Sequence, residues 1–307
     1  MNPGQRGRGL VELLVAMAIG LGMTLGLFTI QVNSQLGARA QEGDASIADA
    51  SRRAVGVVTR AIRHAGFQRQ VFYDDTWMQT PPDDFRSIWA CTGGFADPSA
   101  ATPVCVGDES LPDAIVVRQG LEVVEANAGP TARTVRVDAS RGIGVDCVGD
   151  TVPQPLTTAA SDFVVENRYF IGVHPRTGRR ELYCRGGANG VIQPVADGVE
   201  DMVLVFGVDR VGITGPRDLS VDERVRAHRV QAQEWNWADP TGTGGATRAR
   251  RVLAVDVCLQ VRSPERTAAD RQTLVDCRGV SRTFGDGYTR QIVRTTIVPR
   301  NHMGGGS

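Results

Sequence analysis

From Leu13 to Ile30 the chain has no charged residue, and Leu10, Val11 and Val32 extend its apolar character on either side. A helix rises about 1.5 Å per residue, so this stretch nearly matches the ~30 Å of hydrocarbon in a bilayer and predicts a membrane span. Further on, the pattern narrows from all-round apolar to a single face. Leu36, Ala40, Gly43, Ile47, Ala50, Ala54, Val57 or Val58, Ala61 and Ala65 recur at steps of three and four, the signature of an amphipathic helix. Arg39, Glu42, Asp49, Arg52, Arg53 and Arg60 mostly avoid that face, and no proline occurs between Pro3 and Pro81. The spacing therefore predicts one helix from about Leu10 to Ala65, stopped near Gly66 and on the order of 80 Å long. Its first half belongs in a membrane and its second half against a sheet. Gly20, Gly22, Gly26 and Gly37 lower its helix propensity and permit local stretching.

After Phe67 the period changes. Ala114–Arg118, Leu121–Glu125, Thr134–Asp138, Phe163–Val173, Met202–Val208, Leu253–Val261 and Ile292–Val298 read as strands bounded by turn residues. Strict alternation in Leu253–Val261 predicts a strand buried on one face. Val221–Trp235 reads as a short helix ahead of the Gly- and Thr-rich loop at Asp239–Thr247. A long helix followed by many strands predicts an α+β fold, with an antiparallel sheet packed on the helix.

Charge removes several functions. Acidic and basic residues balance at 34 each, which gives no global electrostatic case for nucleic acid. Every basic residue is Arg, so a P-loop lysine, a Schiff-base lysine and a Ser–Lys dyad are all excluded. Arg cannot stand in for the last two because it does not deprotonate. Arg6 and Arg8 precede the apolar run and place that end in the cytoplasm by the positive-inside rule. The remainder then lies across the inner membrane, where disulfides persist.

The six cysteines, Cys91, Cys105, Cys147, Cys184, Cys258 and Cys277, form no C-x-x-C pair and lie far in sequence from the four histidines. That spacing argues against zinc and for disulfides, among which the neighbour pairing Cys91–Cys105, Cys147–Cys184 and Cys258–Cys277 is expected. No metal and no cofactor is expected. Asp74-Asp75 and Asp83-Asp84 read as solvated loop charges. Asp209 to Asp218 has too few carboxylates for calcium. No histidine sits in a nucleophile motif. Trp77, Trp89, Trp235 and Trp237 read as core anchors.

Glu12 stands two residues inside the apolar run. A short leader ending in Gly7, the step Arg8-Gly9, then Leu10-Val-Glu-Leu and a long apolar helix resembles a type IV prepilin. The resemblance implies cleavage by a prepilin peptidase between Gly7 and Arg8, N-methylation of Arg8, and Glu12 as the fifth residue of the mature chain. In that family the first mature residue is usually Phe, and here it is Arg8. A secretory signal peptide cut near Ala38-Arg39-Ala40 is the rival, but the apolar region exceeds the usual ~7–15 residues.

Later segments extend the resemblance to the PilW family of minor pilins. They are Asn167-Arg-Tyr-Phe-Ile, Arg180-Glu-Leu-Tyr-Cys, Val199 to Asp209, the tryptophan segment before Gln260-Val-Arg-Ser, and Arg294 to Asn301. Residues 72–152 resemble no family. The implied organisation is a leader at 1–7, a helix at 8–66 (membrane-spanning about 10–32, amphipathic about 33–66), a β-rich pilin domain at 67–301, and a flexible tail at 302–307. The implied function is a non-catalytic role in pilus assembly, priming and tip-complex formation. Implied partners are other minor pilins and the major pilin through the helix, the prepilin peptidase, and a tip adhesin. A type II secretion pseudopilin of the J kind and a membrane-anchored periplasmic enzyme are the alternatives.

Overall fold

The computed structural model describes residues 8–66, 69–73, 76–80, 87–120, 123–128, 133–137, 145–151, 164–209, 220–230, 251–266 and 271–300. Helix α1 runs unbroken over Arg8–His64. Gly66, in the left-handed region at φ 70°, ends it and donates its N–H to the Arg118 carbonyl at 3.0 Å. A side chain there would strain the backbone, whereas glycine turns the chain off the helix directly onto a strand.

The strands are β1 (Arg69–Tyr73), β2 (Thr76–Thr80), β3 (Ile88–Cys91), β4 (Ala114–Gly120), β5 (Val123–Ala128), β6 (Arg133–Val137), β7 (Val164–Val173) and β8 (Arg180–Arg185). They continue with β9 (Ile192–Ala196), β10 (Val199–Asp209), β11 (Glu223–Arg226), β12 (Arg251–Arg266), β13 (Gln272–Val275), β14 (Ser281–Phe284) and β15 (Tyr288–Ile297). In place of one sheet, the described strands form a five-stranded sheet ordered β3-β4-β7-β8-β9 and a four-stranded sheet ordered β11-β10-β12-β15. Three hairpins, β1-β2, β5-β6 and β13-β14, stand apart from these two sheets. Every pairing is antiparallel. The architecture is α+β, a long amino-terminal helix with antiparallel sheets.

Register explains the core. Phe206 faces Val255, which faces Ile297, and Met202 faces Leu259, which faces Val293, so rows of apolar side chains cross the four-stranded sheet. Phe206, Val255, Ile297, Met202 and Leu259 join Ile47, Ala54, Val58 and Ile62 of α1 and Ile115, Val117, Tyr169 and Leu182 of the five-stranded sheet in one buried cluster. Small residues at Ala50, Ala54, Ala61 and Ala65 let the helix approach closely. Two expectations fail here. Val221 onward is not helical, because Val225 and Ala227 alternate inward with period two and Glu223–Arg226 pairs with β10. A single 3-10 turn, Ala227–Arg229, follows, and Gln231 to Trp235 lie outside the described residues. Strand β12 is also buried on both faces rather than one. On its second face Cys258 is bonded to Cys277 and Gln260 donates to Glu200 at 2.9 Å.

Three disulfides staple the domain, Cys91–Cys105, Cys147–Cys184 and Cys258–Cys277, with Cα separations of 5.0, 6.3 and 5.6 Å. Each joins a sheet strand to a loop or turn, so the irregular segments are tied to the regular ones.

Candidate assembly interface

Within α1, Val11–Val32 has a mean hydropathy of 2.2 and none of it is buried in the protein. The large apolar side chains from Val11 to Ile30 are each 51–67% exposed. At about 1.5 Å per residue this run is ~33 Å long, enough to cross a bilayer. Its threonine hydroxyls are satisfied within the helix. Thr24 donates to the Leu21 carbonyl at 2.9 Å, and Thr29 to that of Gly26 at 2.8 Å. This is the arrangement a hydrocarbon solvent requires, since no water is present to take those hydrogens. A Cβ added at Gly20, Gly22, Gly26 or Gly37 would meet nothing within 4 Å. The whole surface of the span is thus free for lipid or for other helices, and the helix fits a membrane anchor.

Of the residues singled out at the amino terminus, Gly7 lies outside the described residues. Arg8 begins α1, and Glu12 follows one turn later, exposed. Glu12 is the only acidic residue between Arg8 and Gln41. The far half of α1 is tied down differently. Arg53 bridges Asp49 at 2.6 Å and Asp197 of the β9–β10 turn at 3.2 Å, and Ser51 donates to Gln291 of β15 at 3.5 Å.

The domain above the helix is held by buried charges that sequence reading did not find. Asp113, fully buried, accepts hydrogen bonds from Gly93 N at 3.2 Å, Leu204 N at 2.8 Å and Arg226 at 2.9 Å, linking the two sheets. Burial pushes its carboxyl above the usual range. Arg168 donates to the carbonyls of Pro98, Ala100 and Ala101 and pins that loop. Arg290 donates to Glu200 and Asp286, each at 2.7 Å; its hydrogen bond holds the Asp286 carboxyl down at about 2. Neither Asp113, just ahead of β4, nor Arg290 has a periodic or motif signature, and Arg168 is marked only as part of the Asn167-Arg-Tyr-Phe-Ile segment.

The histidines serve as local fasteners. His174 Nδ1 accepts from Arg176 N and Thr177 N, and His228 meets Thr92 and Glu109 at 3.3 Å each. Among the described residues no group of three His, Cys, Asp or Glu side chains is placed to hold a metal. Trp89 packs edge-on against Phe95, which packs on Phe170, which stacks on Tyr183. The side chain of Trp77, the whole of Trp235 and Trp237, the two Asp pairs, residues 210–218, His302 and the 302–307 tail lie outside the described residues.

Comparison with known proteins bears on the part of the chain above the helix. Residues 168–301 match the family described as Type IV Pilus-assembly protein W. A solved type IV-like pilin from Thermus thermophilus is similar at 12% identity over 83% of this chain and 97% of that chain, with a TM-score of 0.34. No curated protein matches. The family match begins within β7 and takes in every strand of the four-stranded sheet, the sheet against which α1 lies. From Arg168 to Asn301 this chain is similar to the family of Type IV Pilus-assembly protein W.

Proposed function

We propose that this chain is a PilW-type minor pilin, non-catalytic, that takes part in type IV pilus assembly, priming and tip-complex formation. It is made as a prepilin, cut by a prepilin peptidase between Gly7 and Arg8, and methylated on the new α-amine of Arg8. The helix then holds it in the inner membrane with the domain in the periplasm, until it passes into the extracellular pilus. There α1 packs among the helices of the major pilin and the other minor pilins, and the domain is available to a tip adhesin. The observation behind this reading is a fully exposed apolar span continuous with a helix whose other end is locked into a PilW-like domain.

The physical role of Glu12 follows from its surroundings. A carboxylate near the start of an apolar helix is costly to bury alone. The α-amine of a neighbouring subunit is an equally costly cation, and pairing offsets both. Because only one axial offset brings the two together, the pair sets subunit register.

The test is Glu12→Ala in the native host. The variant should still insert and be cleaved, while its amount in sheared pili falls at least ~10-fold, the equivalent of about 1.4 kcal/mol. Normal recovery would remove the register role. Gene deletion scored for surface pili and for enzyme secretion separates a pilus protein from a secretion pseudopilin. Mass spectrometry of the mature amino terminus tests cleavage and methylation together.

A further inference from the structure

Between Ala48 and His64, α1 leaves an open groove of about 740 Å³ against β15. Val55 and Val293 line it with apolar surface, Arg52, Arg60, Arg63 and Arg300 with positive charge, and among the described residues no carboxylate lines it. Among the described residues Arg52, Arg60 and Arg300 enter no ion pair, whereas Arg53, on the adjoining strip of the helix, is held by two carboxylates. Like charges gathered in one cleft focus a positive potential there. The imidazole of His64, at the end of the groove, is held below its ordinary pKa by burial and then by Arg60 and Arg300.

The second wall is a sheet edge. Strand β15 is last in its sheet, with β12 on one side only. At Arg290 the open side is occupied by the Gln272 amide, which accepts from the Arg290 N–H at 2.7 Å and donates to its carbonyl at 2.8 Å. Gln272 thus stands where the backbone of a further strand would be. Pairing with β12 is regular from Arg290 to Ile297, so backbone alternation directs the N–H and C=O groups of Ile292, Arg294 and Thr296 to that same open side. Among the described residues no backbone group pairs with them. Exposed edge groups of this kind are a template for an added strand.

Dimensions and position select the occupant. The helical wall is ~24 Å long and the strand from Arg290 to Ile297 ~26 Å, so one extended segment of similar length contacts both. A helical guest would leave the edge groups of β15 unpaired. Lipid headgroups are out of reach, because Arg52 lies some 30 Å along α1 from the end of the apolar span.

We propose that this groove docks an extended acidic segment of another protein, added as a strand to the open edge of β15, with alternate carboxylates facing Arg52, Arg60 and Arg300. Main-chain pairing supplies affinity, and the arginines select for acid and fix register. The proposal does not depend on the pilus reading.

The experiment uses the full chain in uncharged detergent and a fluorescent synthetic peptide of alternating Glu and Val. Anisotropy should show saturable binding that weakens with salt. Binding should fall ~10-fold or more for Arg60→Glu combined with Arg300→Glu, both exposed positions whose exchange leaves the core intact. Ile292→Pro, which deletes one outward N–H but no bond to β12, should weaken it as well. Bound peptide should slow amide exchange at Ile292, Arg294 and Thr296. Equal binding of the Gln-for-Glu peptide overturns the proposal. So does binding without slowed exchange at those amides, as a free phosphate would give, or self-association of the chain that closes the groove.

Discussion

The two halves of α1 share one backbone and differ in everything their side chains meet. From Val11 to Val32 apolar residues surround the helix and none is buried. From Ile47 to Ala65 the apolar residues fall on one stripe, and Ile47, Ala50, Ala54, Val58, Ile62 and Ala65 are nearly or wholly buried. A stripe requires a wall, and the sheets provide it. An all-round apolar surface requires a solvent, and only lipid or other helices qualify. In the second half buried alanines set the distance between helix and sheet.

The comparison is most exposed to failure at Ile62. Ile62→Ala should destabilise the domain by about 2–5 kcal/mol in urea unfolding of the full chain in detergent. Leu21→Ala, an equal loss of apolar volume in the other half, should stay within about 0.5 kcal/mol. Similar effects from the two would mean that the halves are not physically distinct. Next in size is Leu21→Arg, at the middle of the span, which should cost about 2.5–3.5 kcal/mol in membrane partitioning while leaving the urea midpoint unchanged. Alkaline extraction of membranes reads the first quantity. The smallest effect is expected for Arg53→Ala. Its ion pairs with Asp49 and Asp197 are more than half exposed, so the loss should be under ~1 kcal/mol and should vanish in high salt.

The helix was legible because both halves advertise themselves through periodicity, which depends only on neighbours along the chain. The long strands were legible for the same reason, with ends displaced by a few residues. Strand β12 extends to Arg266 because its pairing with β15 continues past a bulge, a tertiary effect that local alternation does not contain. Within Val221–Val230 the helical expectation fails because Val225 and Ala227 sit in a segment rich in helix-compatible residues, and the decisive fact is an edge of β10 that Glu223–Arg226 pairs with. The splitting into two sheets was hidden too. The two sheets are tied to each other by Asp113, whose carboxylate gathers Gly93, Leu204 and Arg226 from three separate stretches. The groove beside β15 was equally invisible, since its arginines come from α1 and from Arg300, far apart in the chain.

The continuity of α1 has a mechanical consequence. With no proline from Arg8 to His64 and its upper end interlocked over about five turns with two sheets, the helix is loaded along its axis when the domain is pulled. Contacts spread along a rod resist such tension in shear, all at once, instead of peeling one after another. Cys147–Cys184 and Cys258–Cys277 brace the sheet strands and loops that grip it. The weak point under traction is therefore the greasy end of the rod and not its seat in the domain.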